Sequence, residues 1–100
     1  MTRGTTPTCR FSLPFDTEAL SGWVISFAQR GVEKFSVPDS ACTAEGSVIT
    51  ATLTQADTLK LEAGVDADIQ LRALTTGGKA IASDILSVAV KHVLKEGVIE

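Results

Sequence analysis

The run Asp66-Ala67-Asp68-Ile69-Gln70-Leu71-Arg72-Ala73-Leu74 alternates apolar and polar side chains with a period of two. Successive side chains of a strand point to opposite faces. The pattern therefore predicts Ala67, Ile69, Leu71 and Ala73 on a buried face, with Asp68, Gln70 and Arg72 in solvent. The same period recurs in Thr8-Cys9-Arg10-Phe11-Ser12-Leu13 and in Ser47-Val48-Ile49-Thr50-Ala51-Thr52-Leu53. In Gly22-Trp23-Val24-Ile25-Ser26-Phe27-Ala28-Gln29 the large residues Trp23, Ile25 and Phe27 share one side. The other side is small and partly apolar, as expected of a central strand. An amphipathic helix cannot present these residues on one face, so the chain is confined to an all-β fold.

Turn residues separate the alternating runs. Pro14 lacks a ladder donor and ends the first strand. Arg30-Gly31 is a two-residue connection to a returning strand, Val32-Glu33-Lys34-Phe35-Ser36-Val37. Pro38-Asp39-Ser40 turns the chain, Cys42-Thr43-Ala44 adds a few paired residues, and Glu45-Gly46 turns again. Thr54-Gln55-Ala56-Asp57 has the pattern that opens a helix, with about two turns expected before Gly64. Thr75-Thr76-Gly77-Gly78-Lys79 leads into one long final strand over residues 80–90. There Ala82, Leu86, Val88 and Val90 share a face with Asp84, and a carboxylate in that position predicts a bulge or an edge.

Six or seven short strands and one short helix make an antiparallel β-sandwich. The helix falls between the fourth and fifth strong strands, where immunoglobulin-like sandwiches cross between sheets, so the expected topology is immunoglobulin-like. The chain has no tyrosine for a tyrosine corner, and Cys9 and Cys42 lack the antibody spacing around Trp23. The 100 residues suit one domain, with residues 1–7 as an N-terminal arm and 91–100 as a C-terminal tail. The expected core holds Phe11, Leu13, Trp23, Ile25, Phe27, Ile49, Leu53, Ile69, Leu71, Leu86 and Val88.

Charge and residue types narrow the function. A net charge of −3 disfavours a nucleic-acid module, which needs clustered Lys and Arg. No apolar run approaches the ~20 residues of a membrane span, and the opening residues have no apolar signal-peptide region. A reducing cytoplasm is therefore the expected setting, with Cys9 and Cys42 as free thiols. The one histidine and two cysteines are scattered, so no metal and no cofactor are expected. His92, flanked by Lys91 and Lys95, reads as a surface residue and not as a catalytic base, and no enzyme is expected. Gly77-Gly78-Lys79 is not a phosphate loop, because Ala73 and Ala80 stand at the required glycine and hydroxyl positions. Asp66 and Asp68 read as charges on a solvated edge. A small binding module for a host-surface glycan or another ligand is the alternative, and an exposed aromatic groove is the feature it needs.

The stretches Arg3-Gly4-Thr5-Thr6-Pro7-Thr8 and Leu13-Pro14-Phe15-Asp16, with Leu53-Thr54-Gln55, Leu59, Ile69-Gln70-Leu71-Arg72, Ala82-Ser83 and Leu94-Lys95-Glu96-Gly97-Val98-Ile99, span nearly the whole chain. On them the chain resembles a group of about hundred-residue structural proteins from phages and prophages of Gram-positive bacteria. The segment from Gln29 to Val37 departs from that group's longer hairpin. The resemblance implies a non-enzymatic component of a tail, baseplate or capsid. It would be made in the host cytoplasm and carried in the virion, and would contact other virion proteins or copies of itself as a homo-oligomer. Val93, Leu94, Val98 and Ile99 put four aliphatic residues in a ten-residue tail, more than solvent favours, and are the expected partner contacts. The alternative is that they cover an open end of their own sandwich.

Overall fold

Strand β2 (Leu20–Gln29) lies inside the larger of two sheets in the computed structural model, which describes residues 1–100. Its inward residues Ile25, Phe27 and Gln29 are buried, and its outward Val24, Ser26 and Ala28 are small enough to be half-covered by their neighbours. Arg30 and Gly31, with φ of 52° and 78°, form the predicted two-residue turn. Two left-handed residues in succession give a turn whose twist matches the strands it joins. Strand β3 (Val32–Pro38) returns from it and stacks Phe35 on Phe27 with ring centroids 4.5 Å apart. On its other side β2 pairs with the alternating run, β6 (Ala67–Thr75), whose Ala67, Ile69, Leu71 and Ala73 are all buried as predicted.

The smaller sheet has the order β1 (Thr8–Ser12), β5 (Val48–Thr52), β4 (Cys42–Glu45). Between β5 and β6 the chain crosses from one sheet to the other through the single helical turn α1 (Gln55–Thr58). The larger sheet runs β3-β2-β6 and ends on β7 (Ala80–Ala82) and β8 (Leu86–Val88), both paired with β6. This is the connectivity of an immunoglobulin-like sandwich, with β1, β5 and β4 as one sheet and β3, β2, β6 and β7–β8 as the other. One position differs. No strand takes the first strand's place beside β1, because the N-terminal arm instead joins Thr2 to Lys91 in a parallel bridge.

Two expectations about the final strand are corrected. The long final strand is broken: β7 pairs in the register Leu74↔Ala80, whereas β8 pairs as Ile69↔Leu86, one residue out of step. The extra residue is taken up at Ser83, whose main-chain N–H donates to Leu71 O and whose Oγ accepts from Leu71 N. This is the bulge that Asp84 signalled, and Asp84 itself is exposed. Leu86 is the second correction. It stands opposite buried Ile69 yet is 59% exposed, because the smaller sheet ends at β1 and does not reach over β8. Phe11, Leu13, Trp23 and Val88 are half-buried at the margin of the core, and the other expected members are buried.

The helix is shorter than expected. Thr54 caps it by accepting from Asp57 N, but after one turn the bonds tighten, with Lys60 N donating to Asp57 O and Leu61 N to Thr58 O. The carbonyls of Leu59 and Leu61 then accept from the guanidinium of Arg3 instead of from further helix.

Candidate partner-contact surface

The two edge strands β1 and β7–β8 flank an open seam between the sheets. Along β1, Cys9, Phe11 and Leu13 turn inward, and Thr8, Arg10 and Ser12 turn out. Main-chain bonds from Leu53 N to Pro7 O and from Leu13 N to Ser47 O set the ladder phase. By alternation, the N–H and C=O groups of Thr8, Arg10 and Ser12 point to the free edge. The seam holds two clefts that meet at Ser83 and Asp84. One, of about 480 Å³, is floored by Leu13, Phe15, Leu71 and Ile81; the other, of about 520 Å³, by Cys9, Phe11, Leu86 and Val88. Both floors are mainly apolar, and the bulge sits between them.

The predicted contact residues divide. Val93 is half-buried, its methyls close to where a side chain on Gly4 would sit, so it belongs to the domain's own packing. Leu94, Val98 and Ile99 do not cover the sandwich: Leu94 is fully exposed, and Val98 and Ile99 are 54% and 67% exposed. The segment is nevertheless fixed in place. Arg3 forms an ion pair with Glu96, and the Gln55 amide clamps Ile99, donating to its O at 3.1 Å and accepting from its N at 2.8 Å. Local patterning offers no cue to these clamps, since neither Arg3 nor Gln55 stands in a recognisable pattern with residues so far along the chain.

The remaining candidates fall apart on placement. His92 is exposed. Asp66 is exposed, while Asp68 is half-buried and accepts from Ser87 Oγ on β8. Gly78 N donates to Thr75 O and Lys79 N to Thr75 Oγ, which makes this segment a hairpin turn. The Trp23 indole N–H is buried without a hydrogen-bond partner.

Cys9 and Cys42 both stand opposite Ala51, one on each side of β5. Two strand spacings put their Cα atoms roughly 10 Å apart, beyond the ~7 Å that a disulfide spans. Burial pushes the Cys9 thiol up from its ordinary value. Protein purified without reductant should titrate two thiols after unfolding. In the folded protein Cys9 should be alkylated slowly near neutral pH, because its thiolate is scarce. Rapid labelling of Cys9 in the native state would contradict its placement. Comparison with protein-family models and with curated proteins finds no match for this chain.

Proposed function

We propose that this protein is a non-enzymatic structural or accessory component of a phage or prophage virion and works through protein–protein contacts. The observation that carries the contact role is the pinned segment with Leu94, Val98 and Ile99 turned outward. Ordering such a segment while leaving its apolar side chains in water makes sense when a partner covers them. The virion setting rests on the resemblance of the arm, the Leu13-Pro14-Phe15-Asp16 stretch and the C-terminal segment to small phage proteins. The aromatic side chains speak against the glycan module: Phe27 and Phe35 are stacked in the core, and Phe11, Phe15 and Trp23 are packed against it. Phe11 and Phe15, half-buried on the floors of the seam clefts, present only part of their rings to a sugar.

Particles purified by density gradient from an induced lysogen should contain the chain at a fixed ratio to the major capsid or tail protein, measured by quantitative mass spectrometry. Its absence from intact particles and from their assembly intermediates would overturn the virion reading.

A further inference from the structure

The larger sheet has one face packed on the core and one without a covering layer. A sheet of that kind ordinarily alternates apolar inward residues with polar outward ones. Strand β2 departs from the rule: its outward Val24, Ser26 and Ala28 are small, partly apolar and half-buried. Beside them the outward residues of β6 are Asp68, Gln70 and Arg72. We propose that a second copy of the chain covers this face. The two larger sheets would stack about a two-fold axis that crosses the strands along the row Ser36, Ser26, Gln70.

Charge decides the axis. Arg72 is exposed and Asp68 half-buried, and neither forms an ion pair within the chain. Four residues apart on β6, they stand roughly 13 Å from each other, too far to meet. An axis through the Ser26–Gln70 row sets Arg72 of each copy over Asp68 of the other, and Val24 over Ala28. Neighbouring axes do worse. Shifted by one row, the axis faces Arg72 with Arg72 or Asp68 with Asp68. Laid along β2, it brings Asp68 over Glu33, which stands opposite Ala28. Laid between β2 and β6, it leaves both charges over Val24 and Ala28 with no partner.

The face leaves room for this approach. Ala82 and Ser87, opposite Arg72 and Asp68 on the outer strands, are short. The Gln70 amide turns toward the sheet edge, where its Nε2 donates to Ser83 O at 3.0 Å. Ser87 Oγ donates to one oxygen of Asp68 and leaves the other for the second copy. Four strands by eight residues span about 19 by 26 Å, roughly 500 Å² on each copy. That is the low end of specific interfaces, so a Kd of about 0.1 mM is expected, rising with salt.

This face uses none of Leu94, Val98 and Ile99, and the proposal stands apart from the virion reading. Charge exchange tests it, read by sedimentation equilibrium at about 0.5 mM, several times the expected Kd. The parent chain should approach twice the 10.5 kDa of one copy. Arg72→Glu alone and Asp68→Lys alone each set like charges together at both pairs and should associate about tenfold or more weakly. Mixed in equal amounts, the two should form a one-to-one dimer, because every cation again meets a carboxylate. Damage to the fold of either variant cannot be repaired by mixing. Asp68→Lys also gives up the bond from Ser87. Ser87→Ala loses that bond but keeps the charge, and should dimerise like the parent. If Asp68→Lys does not fold, Asp68→Asn takes its place and should rescue Arg72→Glu in part. Leu94→Lys should leave the dimer intact. A monomeric parent, single exchanges that assemble like the parent, a mixture that stays monomeric, or a dimer lost in Leu94→Lys but kept in Arg72→Glu each overturns the proposal.

Discussion

Phe27→Ala should remove about 3–5 kcal/mol of stability, the range for emptying a large aromatic site in a packed core. Phe27 is fully buried and stacks on Phe35, so truncation opens a cavity and also forfeits the ring pair, worth roughly 0.5–1.5 kcal/mol beyond area. Domains of this size hold only ~5–15 kcal/mol in total, so the variant stands near the limit of folding. Urea titration should show a lower midpoint with an unchanged slope. A loss under about 1 kcal/mol would mean that β2 and β3 pair in a different register. The same substitution at exposed Leu86 serves as the control and should stay within about 0.5 kcal/mol.

Gln29→Leu is the second large effect, and it arises from polarity instead of volume. The Gln29 side chain is 1% exposed and ties the end of β2 to the loop after α1. Its Nε2 donates to Glu62 O and Val65 O at 2.8 and 3.0 Å, and its Oε1 accepts from Glu62 N at 2.8 Å. Leucine fills similar space but strands three loop main-chain groups, at about 1–3 kcal/mol for each one left buried without a partner. Water entering the loop recovers part of this, so the expected loss is about 3 kcal/mol, read from the urea midpoint. Gln29→Glu adds a sign test. A carboxyl in this site is held by burial in its neutral form, so its folded pKa lies above its unfolded one. The folded state then binds the extra proton, and the variant should gain stability as pH falls through the folded pKa and lose it as pH rises. The opposite slope would place the group in solvent.

Local patterning made part of this fold legible. The inward face of β6 could be read directly, because period-two alternation with one covered face leaves a single consistent register. Arg30-Gly31 was readable as a two-residue turn, since only that spacing separates two strand-like runs. Leu86 shows where such reading stops. Alternation assigns a residue to a face, but not whether the opposite sheet extends far enough to cover it. The break at Ser83 was signalled only by Asp84; its position depends on a hydroxyl meeting the Leu71 amide across the sheet. Gln29 escaped notice because a polar residue at a strand end looks solvent-facing until a distant loop supplies its partners. In the contact surface, sequence marked the aliphatic residues but not their separate fates: Val93 packs inward, and Leu94 is left out by the clamps from Arg3 and Gln55.

The parallel bridge between Thr2 and Lys91 has a consequence for how the molecule comes into being. The arm's partners, Ala89 O and the N–H and C=O of Lys91, lie almost a full chain length away from it. During synthesis the hairpin of β2 and β3 can form as soon as it emerges, but the main chain of Met1 and the N–H of Arg3 have no partner until residues 89–91 have been made. Closing so large a loop is slow and entropically costly, which places the arm among the last parts to settle in a fold already dominated by non-local pairing. Until then Met1 is missing from the lining of the cleft that it shares with Cys9, Phe11, Leu86 and Val88 in the finished fold.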